Sequence, residues 1–479
     1  MGNGINDKKN PIIRLVKSKN ENSQTFFNIL STVITSGIAF LTMPIFTRLL
    51  GAEQYGHYSI YHAWLTIMAC IIGLNTQAGI GTGFYRFKEK YYAFRNSTLV
   101  MGTVISIVMI AILMVSYPLI EPAFGYSATL FFLLLLNAFA NYVMNVSNMA
   151  WIYEKQAARN MAAAVTSFVI SSLLSIVLLV AWKWDLPLFY ARAIGIAIPQ
   201  IIIAIIVWIV LYRECPSGFN REYWQYSLLF GLPMVFHLLS HQVLGQSDRL
   251  MMKWFGVDAG QIGIYSFFYT YVAILTTLLN ALNTSWCPFL YDDLSKGNYD
   301  RINKRINHYV QIFVILCLGF LLLSREVMKI FASEEFWPGA PIVPILVLVV
   351  YCTFFYQFGV NFEFFHKKPR YVAIGTTLAA ACNIALNAIM IPKWGMYGAA
   401  YATLVSYALL AGFHTIIVKT WRVEKYPLSY KTVIFGLLFV MRGCAAYIFM
   451  AKLILIRWLM AIALGVYLIS SIYRRKTIF

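Results

Sequence analysis

Fourteen stretches of roughly twenty apolar residues follow one another along this chain, joined by short polar connections. A helix needs about 20 mostly apolar residues to cross the hydrocarbon core of a bilayer. The predicted spans are 26–50, 57–80, 97–120, 127–152, 160–182, 188–212, 226–250, 260–286, 307–324, 340–361, 371–391, 396–418, 432–451 and 453–473. Only 12% of the 479 residues are charged, against about 25% in a soluble domain. The expected fold class is therefore all-α: a polytopic membrane protein with about 14 transmembrane helices. Residues 1–25 are polar, carry Lys8, Lys9, Arg14, Lys17 and Lys19, and lead into the first span without a small-residue cleavage site. They predict a cytoplasmic N-terminal segment before an uncleaved span.

The net charge of +19 is read first as a membrane signal, because Lys and Arg collect in cytoplasmic loops and near anionic headgroups. With both termini placed in the cytoplasm, 27 of the 38 basic residues fall on the inner side and 9 on the outer; Arg192 and Arg442 fall within spans. That asymmetry predicts an even number of spans. No nucleic-acid-binding pattern is present, so no nucleic-acid partner is expected. The seven cysteines are scattered singly and read as apolar fillers rather than a disulfide framework.

One phrase occurs twice. "TRLLGAEQYGHYS" at 47–59 matches "WFGVDAGQIGIYS" at 254–266. Gly51 answers to Gly256, Glu53 to Asp258, and Gly56-His57-Tyr58-Ser59 to Gly263-Ile264-Tyr265-Ser266. A second echo, Lys-Trp at 183–184 and 393–394, has nearly the same offset. Both lie between equivalent predicted helices. The expected domains are an N-terminal six-helix half (26–212), a C-terminal six-helix half (226–418) and an additional helix pair (432–473). An even count per half makes these two parallel six-helix bundles plus a C-terminal pair. Such halves flank a central site and rock about it in transporters.

Three stretches carry a family resemblance: "MPIFTRLLGAEQYGHYS", "FGLPMVFHLLSHQVLGQSDRLMM" at 230–252, and "CNIALNAIMIPKWGMYGAAYATLVSY" at 382–407. They resemble the polysaccharide-unit (O-antigen, Wzx-type) flippases of the multidrug/oligosaccharidyl-lipid/polysaccharide exporter superfamily, over about residues 20–420. The resemblance implies an alternating-access transporter, not an enzyme, in a bacterial inner membrane. Its implied cargo is an undecaprenyl-diphosphate-linked oligosaccharide for surface polysaccharide or lipopolysaccharide biosynthesis. Its implied partners, beyond the bilayer, are a polysaccharide polymerase and a chain-length regulator. No cofactor is expected.

Moving a diphosphate and a glycan through hydrocarbon requires a wet, polar path. Polar stripes on apolar helices are its signature. His237, His241, Gly245 and Asp248 recur on one face of the seventh span, with Arg249 beside them. Either they line a cavity or they tie helices together. His-X-X-X-His has metal-ligand spacing, but nothing nearby in sequence completes a metal site. Arg48 closes the first span, Arg192 lies near the outer end of the sixth, and Arg86 follows the second at the inner mouth. The basic group at Arg86 reads equally as a positive-inside loop; the family often has a basic residue there, which favours diphosphate capture. Arg249 serves either the substrate or its neighbour Asp248. His237, His241, Asp248 and Glu363 are the candidates for proton coupling, since no ATP-binding phosphate loop is present. Pro44 and Pro233, with Gly51 and Gly56, are candidates for gating bends. The asparagines of the fourth span (Asn137, Asn141, Asn145, Asn148) and of the eleventh (Asn383, Asn387) are read as interhelical hydrogen bonders.

Two other classes compete. A multidrug or cation antiporter of the sister branch would hold its cation on buried carboxylates, and the spans offer no secure mid-span acid. A membrane glycan polymerase or ligase would need a sizeable outer loop, whereas the longest predicted one, 325–339, has no catalytic constellation.

Overall fold

A computed structural model describes residues 21–420 and 430–475. The basic N-terminal residues from Lys8 to Lys19, the loop residues Arg422 and Lys425, and Lys476 lie outside the described residues. The described chain is helical, with no strand. Its helices are α1 (Glu21–Ile71), α2 (Ile80–Phe87), α3 (Tyr91–Val115), α4 (Tyr117–Phe124), α5 (Ala128–Tyr153), α6 (Ala157–Ala181), α7 (Phe189–Glu214), α8 (Arg221–Trp254), α9 (Ala259–Ser295), α10 (Tyr299–Phe331), α11 (Val343–Phe365), α12 (Pro369–Thr420), α13 (Tyr430–Phe449) and α14 (Ile454–Arg475). Eleven continuous runs among the described residues are long and apolar enough to cross a membrane. Long runs contain breaks: Gly51 (φ 67°) interrupts α1 and Gly395 (φ 53°) interrupts α12. A left-handed φ is accessible to glycine without a Cβ clash.

The second predicted span does not stay α-helical to its end. It unwinds into a 3₁₀ segment at Ile72–Gly79, with Gly73, Leu74 and Asn75 all at positive φ. Leu74 bears a steric cost in that conformation, whereas Asn75 adopts it more readily, and the segment is closely packed. The Tyr142 ring lies where a Cβ of Gly73 would be, and the Leu74 carbonyl oxygen would stand 2.7 Å from a Cβ on Gly231. The third predicted span also divides, at Ser116, into α3 and α4.

The chain forms two compact units. The first runs up to Leu50 and resumes at Ile60–Gln242; the second takes Gly51–Ser59 and everything from Val243. In the first, α6 packs along α7, and α3, α5 and α7 enclose a core that includes Phe94, Tyr142, Val146 and Trp151. Beside it lies a charged cluster. The Arg95 guanidinium, fully buried, reaches Glu154, the residue that follows α5, at 2.7 Å and Glu214 at the end of α7 at 2.9 Å. Asn96 adds a bond to the Leu211 carbonyl at 2.7 Å. Arg95 belongs by sequence to a positive-inside loop, yet it ties three helix ends together.

In the second unit α11 packs along α12, while α13 and α14 lie against α10. Arg457 of α14 is buried and pairs with Glu326 of α10. The repeated phrase finds its reason here. Each copy ends one helical segment on a positive-φ glycine, Gly51 or Gly256, and starts the next under a carboxylate. Asp258 accepts from the Gln261 amide at 3.2 Å, and Glu335 accepts from the Ala52 amide at 2.8 Å. Asp258 is the N-cap of its segment. In the first copy the carboxylate comes from Glu335, outside the phrase, and the counterpart of Asp258, Glu53, faces His57 at 4.0 Å. Both bonds satisfy amides at the start of a segment. The two new segments then cross at their glycines. A Cβ on Gly56 would stand 1.9 Å from the Ala259 carbonyl oxygen, and a Cβ on Gly263 would stand 1.9 Å from that of Ala52. Each glycine thus meets the residue four positions before the other. The contact is reciprocal, and it explains why both copies need glycine.

Candidate functional site

Asp248 is the centre of the best-defined polar site. It sits on α8 with no exposure. Its Oδ1 accepts from Asn387 Nδ2 at 2.9 Å, and its Oδ2 accepts from Thr403 Oγ1 at 3.0 Å and from the Tyr265 hydroxyl. Accepting three bonds and donating none is the role of an ionised carboxylate. Asn383 joins the cluster: its Oδ1 accepts from Asn387 Nδ2 and from Ser247 Oγ, each at 2.9 Å. The helices place these groups by spacing alone. Asn383 and Asn387 are one turn apart on the first segment of α12, and Thr403 lies beyond the Gly395 break on the second. The eleventh-span asparagines therefore do make interhelical hydrogen bonds.

One donor in this site has a competing acceptor: Thr403 Oγ1 is also 2.9 Å from the Ala399 carbonyl, whereas the two N–H groups of Asn387 Nδ2 reach Asp248 and Asn383 together. Asn387 Oδ1 and Asn383 Nδ2 are buried without a partner. A buried carboxylate beside unsatisfied amide atoms is a costly arrangement that a bound cation or proton would relieve.

Arg249 does not form an ion pair with Asp248. Adjacent on the helix, the two side chains diverge. The guanidinium donates to the Gly245 carbonyl at 2.9 Å and lies over the rings of Tyr269 (4.6 Å) and Tyr265 (5.5 Å). Arg249 is buried, which gives a cation held on aromatic faces rather than neutralised. Both Asp248 and Glu363 are fully buried, although each lies toward the end of its helix rather than mid-span. Sequence position near a helix end had hidden the enclosure of Asp248.

The remaining predicted residues are dispersed. His237 is half-buried with its Nδ1 enclosed and partnerless, and His241, one turn on, is exposed. Neither forms an ion pair with Asp248 or Glu363 among the described residues. Arg192 lies over the Phe46 ring at 3.3 Å. Arg48 is exposed and donates to the Pro44 carbonyl at 3.1 Å. Arg86 is exposed over the Tyr226 ring at 4.9 Å. Pro44 and Pro233 lie inside α1 and α8. Glu363 pairs with His414 at 2.7 Å, a residue sequence reasoning passed over. A histidine in an apolar span was itself the available signal. Tyr265 and Thr403 carried no such signal. Among the described residues no three His, Cys, Asp or Glu side chains come together to hold a metal ion.

Residues 23–292, more than half of the chain, match the family described as Polysaccharide biosynthesis protein. The chain belongs to that family. An uncharacterized membrane protein of Haemophilus influenzae is 23% identical over 356 residues, covering 71% of this chain and 83% of the relative. The lipid II flippase MurJ of Bacillus subtilis is 28% identical over 193 residues, 37% of this chain and 34% of its own length. Among solved structures, a lipid II flippase MurJ in an inward closed conformation superimposes with a TM-score of 0.71 at 16% identity, covering 95% of this chain and 99% of that one. An inward-facing MATE family transporter gives 0.59 at 15% identity, covering 88% and 95%. The fold is thus shared with a lipid II flippase and a MATE family transporter. The protein is a multi-pass membrane protein of this polysaccharide biosynthesis family.

Proposed function

We propose that the protein is a flippase that carries a polyprenyl-diphosphate-linked oligosaccharide, an undecaprenyl-linked surface-polysaccharide unit such as O-antigen, across the bacterial inner membrane. The family match over residues 23–292 carries this reading. In it, fourteen spans place both termini in the cytoplasm, and two six-helix halves, 26–212 and 226–418, alternate access to a central path. Arg48, Arg192, Arg249 and, at the inner mouth, Arg86 meet the anionic diphosphate, for which guanidinium is well suited. His237 and His241 line the path. Pro44, Gly51, Gly56 and Pro233 mark where helices bend between states. A polymerase and a chain-length regulator act on the product. Asp248 is the coupling site: a buried carboxylate on which a proton or small monovalent cation binds and shifts the balance between states.

A second reading, a cation-exporting antiporter, draws support from the same buried carboxylate. The two readings differ in what Arg249 does. For a flippase, Arg249→Glu is expected to lower glycan export at least tenfold while Arg249→Lys keeps much of it; Asp248→Asn removes the dependence of export on the ion gradient. Export of the lipid-linked glycan from cells carrying each variant, corrected for the amount of inserted protein, is the measurement. Wild-type export by Arg249→Glu, together with resistance to cationic dyes that is lost in Asp248→Asn, would favour the antiporter.

A further inference from the structure

Glu363 and His414 form a buried pair away from the Asp248 cluster. Glu363 lies two residues before the end of α11 and His414 near the end of α12. Both are essentially unexposed, and His414 Nδ1 is 2.7 Å from Glu363 Oε1. The ring is held in a slot. Tyr356 stacks on it with centroids 6.0 Å apart, a Cβ on Gly359 would stand 2.8 Å from His414 Cβ, and one on Gly375 would stand 3.0 Å from Nε2. The outer atoms of the pair, Glu363 Oε2 and His414 Nε2, are buried without a hydrogen-bond partner. The two glycines leave room for the ring and provide nothing to satisfy it.

No other ion pair reaches this site among the described residues. From α9, Asn283 accepts from Asn361 of α11 at 2.8 Å. From α10, Tyr309 packs on Phe354 and Phe358, while Arg301 and Arg305 are held by Asp293. From α13, the Val433 carbonyl accepts from Tyr351. From α12, Tyr407 lies beside Tyr356, and Arg370 lies over Tyr371. On α11 itself, His366 packs on Phe362 and Phe365. Lys367 and Lys368 follow it, the Lys368 amide closing the helix on the Glu363 carbonyl.

We propose that Glu363 and His414 form a second proton-binding site, distinct from Asp248 and placed at the basic end of α11 and α12. This rests on the reading of the protein as an ion-coupled flippase. The pair carries no net charge with one shared proton, and a charge with none or two, so gaining or losing a proton changes the charge buried between α11 and α12. His414 and Thr403 are eleven residues apart on one helical segment, close to three turns and so on the same face. Thr403 bonds Asp248. The second segment of α12 therefore carries one member of the pair and one hydrogen-bond donor to Asp248, which links the two sites through one helical segment.

Infrared difference spectroscopy on the purified full-length protein in detergent, stepped between alkaline and acidic pH, reads the groups that take up protons. Ring-labelled histidine marks the imidazole bands, of which the chain has seven candidates. Expected is a coupled carboxyl and imidazole change that is lost in both Glu363→Gln and His414→Gln and retained in Asp248→Asn. The exchanged pair, Glu363→His with His414→Glu, recovers it. Spectra of Glu363→Gln and His414→Gln that match the wild type would overturn the proposal. Should Glu363→Gln not insert, His414→Gln, which keeps a hydrogen-bonding side chain, decides alone. The readout needs no transport substrate, so an absence of glycan export by the wild type would fail the flippase reading and leave this result standing.

Discussion

Replacing Arg95 with alanine is expected to destabilise the protein by about 3–5 kcal/mol, the usual cost of removing one partner of a buried ion pair. The Glu154 side chain is 1% exposed and relies on Arg95 Nη1 at 2.7 Å. Without the guanidinium its charge stays enclosed, and the Leu211 carbonyl loses a donor at 3.0 Å. Glu214 suffers less, because Arg159 still reaches it at 3.0 Å and it is partly exposed. The double variant Arg95→Met with Glu154→Gln removes both charges and should recover most of the loss, since the cost lies in a buried carboxylate without a counter-charge, bonded still by the Gln156 side-chain amide at 3.1 Å. Thermal unfolding of the three proteins in one detergent checks this. Equal losses in the single and double variants would mean that Arg95 acts by packing alone.

Alanine at Gly56 or Gly263 is the other large effect. A methyl group 1.9 Å from a carbonyl oxygen cannot be accommodated by a side-chain turn, because the obstacle is backbone. The crossing helices must separate, at about 1–3 kcal/mol or more for an overpacked contact. The two contacts are reciprocal, so one separation relieves both. The double variant is therefore expected to cost clearly less than the sum of the singles, the signature of coupled sites. Unfolding midpoints of the wild type, both singles and the double test this. Strict additivity would mean that the glycines act independently.

These residues show what a sequence can disclose. The apolar runs and the repeated Gly-X-Tyr-Ser phrase were readable because helix length and turn chemistry are local properties. The reciprocal contact of Gly56 and Gly263 was not, since it depends on two segments 207 positions apart meeting in space. The unwinding at Ile72–Gly79 has a local signal in its Gly-Leu-Asn-Thr-Gln-Ala-Gly sequence, but its close fit against Tyr142 and Gly231 is not local. Within the candidate site, Asp248, Asn383 and Asn387 stood out because polar groups are costly in apolar spans. Tyr265 and Thr403 did not, because either fits a membrane helix without needing a polar partner. Arg95 was hidden by its neighbours: a basic residue next to Arg86, Lys88 and Lys90 reads as loop charge, and only the fold shows it buried against Glu154.

The flippase account rests most directly on movement of its cargo. The decisive measurement uses the full-length protein in liposomes with a polyprenyl-diphosphate-linked oligosaccharide confined to the inner leaflet. A membrane-impermeant lectin outside reports each glycan that crosses. The account predicts lectin binding that rises faster than in protein-free liposomes, accelerates when an ion gradient is imposed, and loses that acceleration in Asp248→Asn. Lectin binding no faster than in protein-free liposomes, under a gradient that drives export of a cationic dye by the same preparation, would contradict it.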